Sequence, residues 1–361
     1  MASRGKRFLQ WTTMILIVFI VIFIGGEIIL RIYDAAKGVT APYTHNLSET
    51  LAVPNGYFNY DLEPNLKITY DSKNPRTFSI NRWGFRSPDY NPEKPKGTYR
   101  IFCLGGSSTF DPYVSDEDSW TALLGKKLSS ETKNKTECIN AGRYGYATSE
   151  IIGLFYHRVL RHQPDMIILY STFNDALRKY SPYYGADDGP QLYGNTNLSF
   201  WNKHSALFAA ADFHMRYLWQ WEFYSRLFPN YSYCKETPPE HEAFLKDELK
   251  TVLYNADIYE RNIRTIIGIA KNNKVKVLLS TQITDADQVT SVMLAHYNKR
   301  LRKIAKEEDV PLLDLEDYKI EDIRNDSILE SYVHFTKKGC EFLSDKMLKK
   351  IMGDSLLNPS H

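Results

Sequence analysis

The sequence predicts an α/β protein with a parallel, doubly wound central sheet. From residue 99 onward, five short apolar runs alternate with helical stretches, and each run is continuous in its apolar residues. Continuous runs are typical of strands covered on both faces, and parallel strands need helical connections between them. The runs are 99–105 (YRIFCLG), 137–142 (ECINAG), 166–172 (MIILYST), 275–282 (VKVLLSTQ) and 310–316 (VPLLDLE). We therefore expect an α/β/α domain over residues 99–355.

Residues 1–35 contain a candidate membrane span. The uncharged stretch from residue 8 to residue 24 follows Arg4, Lys6 and Arg7. A span needs about 17 to 25 apolar residues, whereas a signal-peptide core has about 7 to 15. Since basic residues stay on the cytoplasmic side, the sequence predicts a signal anchor that places the rest of the chain in the periplasm or at the cell surface. A cleaved signal peptide and a buried core helix are the alternatives.

Two further segments flank or interrupt the predicted domain. Residues 36–98 are rich in Pro, Asn, Tyr and Arg and contain no long periodic helix, so they are expected to form an extended lead-in packed on the domain. Residues 176–257 form a long insertion after the third strand. An insertion there lies beside the usual ligand site of such sheets. We interpret it as a lid or substrate-binding wall, the alternative being a second hydrophobic cluster without ligand contact.

Composition excludes several classes of function. A net charge of +2 gives no basic face for nucleic acid. The four cysteines, Cys103, Cys138, Cys234 and Cys340, match no zinc spacing. Cys103 and Cys138 fall in predicted strands, which favours small buried side chains over a disulfide. We expect no metal, no cofactor and no nucleic-acid partner.

The stretch 103–111, CLGGSSTFD, marks a sharp turn from the first strand into a helix. Such a turn either cradles a phosphate or presents a serine as a nucleophile. A Walker A loop needs a lysine after its glycines, and a dinucleotide fingerprint needs G-x-G-x-x-G. An α/β-hydrolase elbow needs glycine two residues after its serine, where Thr109 stands. None of the three fits. The residues at the other strand ends must therefore show whether the turn binds a phosphate or presents a nucleophile.

Four residues fall where the carboxyl ends of the strands meet. Ser107 follows the first strand, Gly145 the second and Asn174 the third, while His334 opens the last helical segment. This set suits acyl transfer, with Ser107 as nucleophile and His334 as the base. The backbone N–H groups of Ser107 and Gly145 and the Asn174 amide would bind the oxyanion. Asp175 is interpreted as the cap of the helix that follows it.

The blocks GGSST, NAGRYGYATS, STFNDA and SYVHFTKKG resemble, in this order, the serine, glycine, asparagine and histidine blocks of the SGNH (GDSL-type) hydrolase superfamily. INRWGFRS and VSDEDSWTALL resemble its bacterial, membrane-anchored exported branch. The resemblance covers residues 99 to 348. It implies a flavodoxin-like sheet and the activity of an esterase, lipase, thioesterase, or carbohydrate deacetylase or acetyltransferase. Some relatives work with a multipass acyltransferase on cell-surface glycans. For this chain the resemblance therefore implies an ester-bearing substrate, such as a polysaccharide or lipid, and a multipass acyltransferase as a partner.

Two positions depart from the family pattern. Gly106 stands where Asp is usual. Ser331 stands three residues before His334, where the family has an orienting Asp, and Glu330 is one position off. We hypothesise that His334 works in a dyad, or that Glu330 or another acid from the insertion orients it.

The sequence therefore predicts an exported, membrane-anchored, metal-free serine esterase or O-acyltransferase that forms an acyl-serine. The absence of the usual Asp motivates one alternative, a catalytically weak binding or scaffold subunit of a surface-polymer modification assembly.

Overall fold

The computed structural model describes residues 2–36, 52–55, 60–70, 75–132, 135–177, 205–208, 211, 241–285, 288–315, 318, 323 and 325–357. Its helices are α1 (Ala2–Ala36), α2 (Ser107–Phe110), α3 (Trp120–Glu131), α4 (Thr148–Leu154), α5 (Phe173–Leu177), α6 (His241–Asn272), α7 (Gln288–Glu307) and α8 (Lys337–Gly353). Its strands are β1 (Ala52–Pro54), β2 (Tyr60–Leu62), β3 (Lys67–Tyr70), β4 (Arg76–Ser79), β5 (Thr98–Gly105), β6 (Lys135–Asn140), β7 (Met166–Tyr170), β8 (Lys276–Ser280), β9 (Leu312–Leu313), β10 (Leu329–Ser331) and β11 (His334–Phe335).

The central sheet has the strand order β6-β5-β7-β8-β9, and every pair in it is parallel. The central strands β5 and β7 are buried along their whole length, as continuous apolar runs require. The predicted parallel α/β sheet is thus confirmed, and its order is that of a flavodoxin-like fold. The edge strand β9 has two residues, fewer than the predicted run 310–316, and both pair with β8.

The hydrophobic core on one face of the sheet uses alternate residues of the central strands. Ile101 and Cys103 in β5 and Ile168 and Tyr170 in β7 pack with buried residues of α3 and α8. Burying one such Ile side chain contributes about 1.5 to 3 kcal/mol. The intervening Phe102 points to the opposite face, where it packs among aromatic rings.

The two cysteines of β5 and β6 are close but unlinked. The Sγ atoms of Cys103 and Cys138 are 3.4 Å apart, and both residues are free thiols. Cys138 pairs with Ile101, two residues before Cys103, so the thiols approach along a diagonal of the sheet. A disulfide needs about 2.05 Å between its sulfurs. The pair thus fills core space as thiols, and Cys234 lies outside the described residues.

Helix α6 begins at His241, inside the predicted insertion 176–257. The last part of the predicted insertion is therefore helical. The prediction of a lid falls mainly on residues 178–204 and 212–240, which lie outside the described residues, and it stays a prediction.

Helix α1 and residues 205–208 belong to one compact unit. Residues Gly5–Tyr33 of α1 are long and apolar enough to cross a membrane, and an 18-residue window within them has a mean hydropathy of 2.8. Near the end of this stretch, the Glu27 carboxylate accepts hydrogen bonds from the Ser205 hydroxyl (2.7 Å) and from the backbone N–H groups of Ala206 (3.0 Å) and Leu207 (2.9 Å). Glu27 thus satisfies the backbone donors at the start of a short helical segment, as an N-cap does.

The second compact unit contains the sheet and most of the described lead-in. There, β1 and β2 form an antiparallel pair. Buried Arg86 donates from its guanidinium to the carbonyl oxygens of Phe110, Asp111 and Val114, the chain that follows α2. Its Nε also pairs with Asp116 at 2.9 Å. The lead-in therefore holds the backbone at the carboxyl end of β5.

Candidate active site

Ser107 is the first residue of α2, directly after β5 and the N-cap residue Gly106. The helix ends after one turn because Asp111 adopts a left-handed conformation with φ of 63°. The first N–H groups of any helix have no intrahelical acceptor and carry partial positive charge. The fold thus places the Ser107 hydroxyl and its own N–H at the carboxyl edge of the sheet.

His334 and Ser331 face each other across the two-residue turn of the β10–β11 hairpin, where they are register partners. The His334 Nε2 atom lies 2.8 Å from Ser107 Oγ, and its Nδ1 atom lies 3.1 Å from Ser331 Oγ. A spacing of three residues works here because positions flanking a two-residue turn are neighbours on one face. Glu330 is exposed and lies at the irregularity between Leu329 and Ser331, whereas the Ser331 hydroxyl is within hydrogen-bond distance of the ring, so the geometry favours Ser331 over Glu330 as the partner of the imidazole.

Burial lowers the pKa of His334 to about 4, and a hydrogen bond to the Ser331 backbone opposes part of this shift. Desolvation disfavours the charged imidazolium. The ring is therefore neutral at physiological pH, as a general base must be, but it is a weak base because no described carboxylate stabilises its protonated form.

The glycine and asparagine blocks meet beside Ser107. Gly145 has φ of 63°, a conformation that favours glycine. The Asn174 Nδ2 group donates to the carbonyl of Tyr146 at 2.8 Å, which leaves its second N–H available. A Cβ atom on Gly106 would lie 2.5 Å from Asn174 Nδ2. The glycine that replaces the usual Asp thus lets the amide approach the nucleophile turn.

Sequence reasoning missed Gln282, which connects two of these blocks. Its Nε2 donates to Ser108 Oγ at 2.8 Å, and its Oε1 accepts from the Phe173 N–H at 2.7 Å. Asn298 in turn donates to the Gln282 carbonyl at 2.8 Å. Gln282 is a polar residue at the end of the predicted strand 275–282, and this position was the signal that could have identified it.

The interpretation of Asp175 as the cap of its own helix was wrong. Its carboxylate accepts from the Thr148 hydroxyl at 2.6 Å and from the Thr148 N–H at 3.1 Å. Asp175 therefore satisfies the N-terminus of α4, a neighbouring helix, because the loops after β6 and β7 lie side by side.

A narrow cleft opens beside these groups. It is lined in part by Gly106, Ser107, Phe173, Asn174 and Val333. Among the residues that the structure describes, no three His, Cys, Asp or Glu side chains group as metal ligands would.

The chain belongs to the GDSL-like lipase/acylhydrolase family, whose model matches residues 103–342. The protein is accordingly an ester hydrolase of the GDSL/SGNH class, as the four sequence blocks predicted.

Solved structures with a similar fold include an acetyl xylan esterase, with 19% identity and a TM-score of 0.46 over 70% of this chain and 99% of that one. A lipase/acylhydrolase from Enterococcus faecalis has 16% identity and a TM-score of 0.44 over 73% and 99% of the two chains. A catalytic mutant of an acetylxylan esterase from Geobacillus stearothermophilus has 14% identity and a TM-score of 0.45 over 70% and 94%. No curated protein matches this sequence.

Proposed function

We propose that this protein is a membrane-anchored, extracytoplasmic serine esterase or acyltransferase that acts on O-acyl esters, in particular acetyl esters of surface glycans. The observation that carries the proposal is the contact of 2.8 Å between Ser107 Oγ and His334 Nε2 at the carboxyl edge of the sheet. A nucleophile and a base within hydrogen-bond distance, with a third group behind the base, form the arrangement that activates a serine.

In the first half of the reaction, Ser107 Oγ attacks the ester carbonyl carbon while its proton moves to His334 Nε2. The oxyanion would receive hydrogen bonds from the Ser107 and Gly145 N–H groups and from the free N–H of Asn174. Collapse of the tetrahedral species breaks the bond to the alcohol oxygen, which takes the proton from His334. The acyl group is then an ester of Ser107.

In the second half, a water molecule or a sugar hydroxyl attacks the acyl-serine carbonyl and gives its proton to His334 Nε2. Collapse returns this proton to Ser107 Oγ and releases a carboxylic acid or a new ester. Hydrolase and transferase thus differ only in the acceptor.

The structure of α1 supports a retained anchor. The segment that begins at Ser205 uses the Glu27 carboxylate for three hydrogen bonds, and the Phe208 ring lies 5.7 Å from that of Phe23. Cleavage after α1 would remove all these contacts. We therefore propose a single-pass protein with Arg4, Lys6 and Arg7 in the cytoplasm.

The nucleophile is tested on the full chain, purified in detergent. Wild type should hydrolyse a short-chain aryl acetate without added metal and should be labelled by a fluorophosphonate at Ser107. Ser107→Ala should lose both activities, whereas Ser130→Ala, an exposed serine on α3, should keep them. Hydrolysis that survives in Ser107→Ala, or that a chelator abolishes, contradicts the mechanism. Complete inertness of wild type would favour the scaffold subunit, which the absence of a carboxylate at position 331 motivates.

The topology is tested in intact cells. Protease added outside should digest the chain after about residue 35, and the mature protein should retain its N-terminal residues by mass. Protection of the large domain would refute the extracytoplasmic location, and a mature N-terminus beyond α1 would identify a cleaved signal peptide.

A further inference from the structure

The hydrogen-bonded chain behind the nucleophile continues past Ser331 to a residue outside the four blocks. The Ser331 hydroxyl donates to Tyr113 Oη at 3.4 Å, beyond its 3.1 Å contact with His334 Nδ1. The Tyr113 ring also packs against the imidazole, with centroids 5.4 Å apart. Four side chains thus form one connected line from Ser107 to Tyr113.

A serine beside Nδ1 is compatible with both neutral tautomers of the imidazole, whereas an aspartate is compatible with only one. A carboxylate only accepts, so it requires a hydrogen on Nδ1, whereas a hydroxyl can either donate or accept. If the Ser331 hydroxyl donated to Nδ1, the ring hydrogen would be on Nε2, and His334 could not take the proton of Ser107. An acceptor on the far side of Ser331 offers the hydroxyl hydrogen another partner and so disfavours this inactive arrangement.

We propose that Tyr113 is a positioning residue that fixes the active tautomer of His334 through Ser331. With the Ser331 hydrogen directed to Tyr113 Oη, the Ser331 oxygen presents a lone pair to the ring, so Nδ1 carries the hydrogen and Nε2 is free to accept. Tyr113 thus supplies part of the orienting effect of the missing aspartate.

Tyr113 is itself held in place by the lead-in. Arg76 donates to the carbonyl of the preceding residue, Pro112, at 3.4 Å, and its guanidinium lies 5.5 Å from the Tyr113 ring centroid. Arg86 binds the carbonyls on both sides, at Asp111 and Val114. The loop is therefore fixed by side chains that do not depend on the phenol oxygen, and Tyr113→Phe should keep its geometry.

The inference rests on the proposed roles of Ser107 and His334, and its test separates the two. Four full-length proteins are compared: wild type, Tyr113→Phe, Ser331→Asp and the double variant. Tyr113→Phe should lower kcat/KM about 5- to 10-fold at pH 7 through kcat, because the Ser331 hydroxyl can then donate to Nδ1 in part of the molecules. In the Ser331→Asp background, the same change should cost less than about 2-fold, since a carboxylate fixes the tautomer without help.

An equal loss in both backgrounds would show that Tyr113 only packs against the substrate or the fold, and it would overturn the proposal. No loss in either background would overturn it as well. Tyr156→Phe, at an exposed tyrosine outside the site, is the matched control and should leave kcat/KM unchanged.

A spectroscopic measurement tests the tautomer independently of activity. The chain has nine histidines, and the ¹⁵N signals of His334 can be assigned by their loss in His334→Asn. At pH 7 the wild type should show a neutral ring with its hydrogen on Nδ1, and Tyr113→Phe should show a mixture of tautomers. Unchanged signals in Tyr113→Phe would refute this inference, whereas failure of Ser107 labelling with the expected tautomer shift would refute the proposed function alone.

Discussion

Restoring the carboxylate at position 331 should strengthen the base. Ser331→Asp should raise kcat/KM on an unactivated ester about 10-fold at pH 7. It should also move the acid limb of the pH profile upward from about pH 4, where the wild-type limb follows the lowered pKa of His334. The reason is that a negative charge beside Nδ1 stabilises the imidazolium formed during attack.

The magnitude follows from the geometry of the hairpin. Ser331 Oγ lies 3.1 Å from His334 Nδ1. Two unit charges at this distance attract by about 1.3 kcal/mol at the dielectric constant of water and by about 5 kcal/mol at an effective value of about 20. Because Ser331 is partly exposed, we use the lower end, and about 1.4 kcal/mol corresponds to a 10-fold change in rate or about one pKa unit.

The assay is the pH dependence of kcat/KM between pH 3.5 and pH 8, with full-length protein and an ester whose leaving group needs protonation. Glu330→Asp is the matched control, because it keeps an acid on the exposed face of β10. It should leave the profile unchanged. Activated aryl esters should gain less from Ser331→Asp, since their leaving groups depart without a strong acid.

Two results would refute this reasoning. If Ser331→Asp left both kcat/KM and the acid limb unchanged while Glu330→Gln abolished activity, Glu330 would be the orienting partner of His334. If the wild-type limb already fell near pH 6.5, His334 would not have the depressed pKa that its burial implies.

Three further predictions concern single side chains. Asn174→Ala should lower kcat about 100- to 1000-fold with a smaller change in KM, as measured by steady-state kinetics, because it removes one oxyanion donor. Burial raises the pKa of the Asp111 carboxyl to about 8, so the free energy of unfolding should fall as pH rises from about 4 toward 8. Asp111→Asn should remove this pH dependence and raise the melting temperature at pH 8 by about 2 to 4 °C or more. Burial lowers the pKa of His162 to about 4, and neither ring nitrogen has a hydrogen-bond partner among the described residues. The free energy of unfolding should therefore fall by up to about 3 kcal/mol as pH falls from 6.5 to 4. Denaturant titrations should show this slope in wild type and lose it in His162→Phe.

The sheet and the four site blocks could be predicted because each has a local signal. Strands β5 and β7 are continuous apolar runs, and Ser107 and Asn174 lie in the short helices that follow them. Parallel strands end at one edge, so residues after them are brought together whatever separates them in sequence.

The remaining parts of the site depend on contacts that no local pattern records. Tyr113 meets Ser331 across 218 positions, and Gln282 meets Ser108 across 174. The start of α6 at His241 is a different case, because Leu245, Leu249 and Val252 recur there at helical spacing and could have predicted the helix. The contact of Asp175 with the N-terminus of α4 likewise depends on two loops that are adjacent only in the fold.

The position of Arg86 sets a limit on how the protein can be divided. Its side chain is 1% exposed and satisfies three carbonyl groups at residues 110, 111 and 114. A recombinant fragment restricted to the matched region, residues 103–342, would leave these carbonyls without their donor, at a cost of about 1 to 3 kcal/mol for each one that stays buried. It would also begin in the middle of β5. The smallest part of the chain that can fold is therefore larger than the part that carries the motifs.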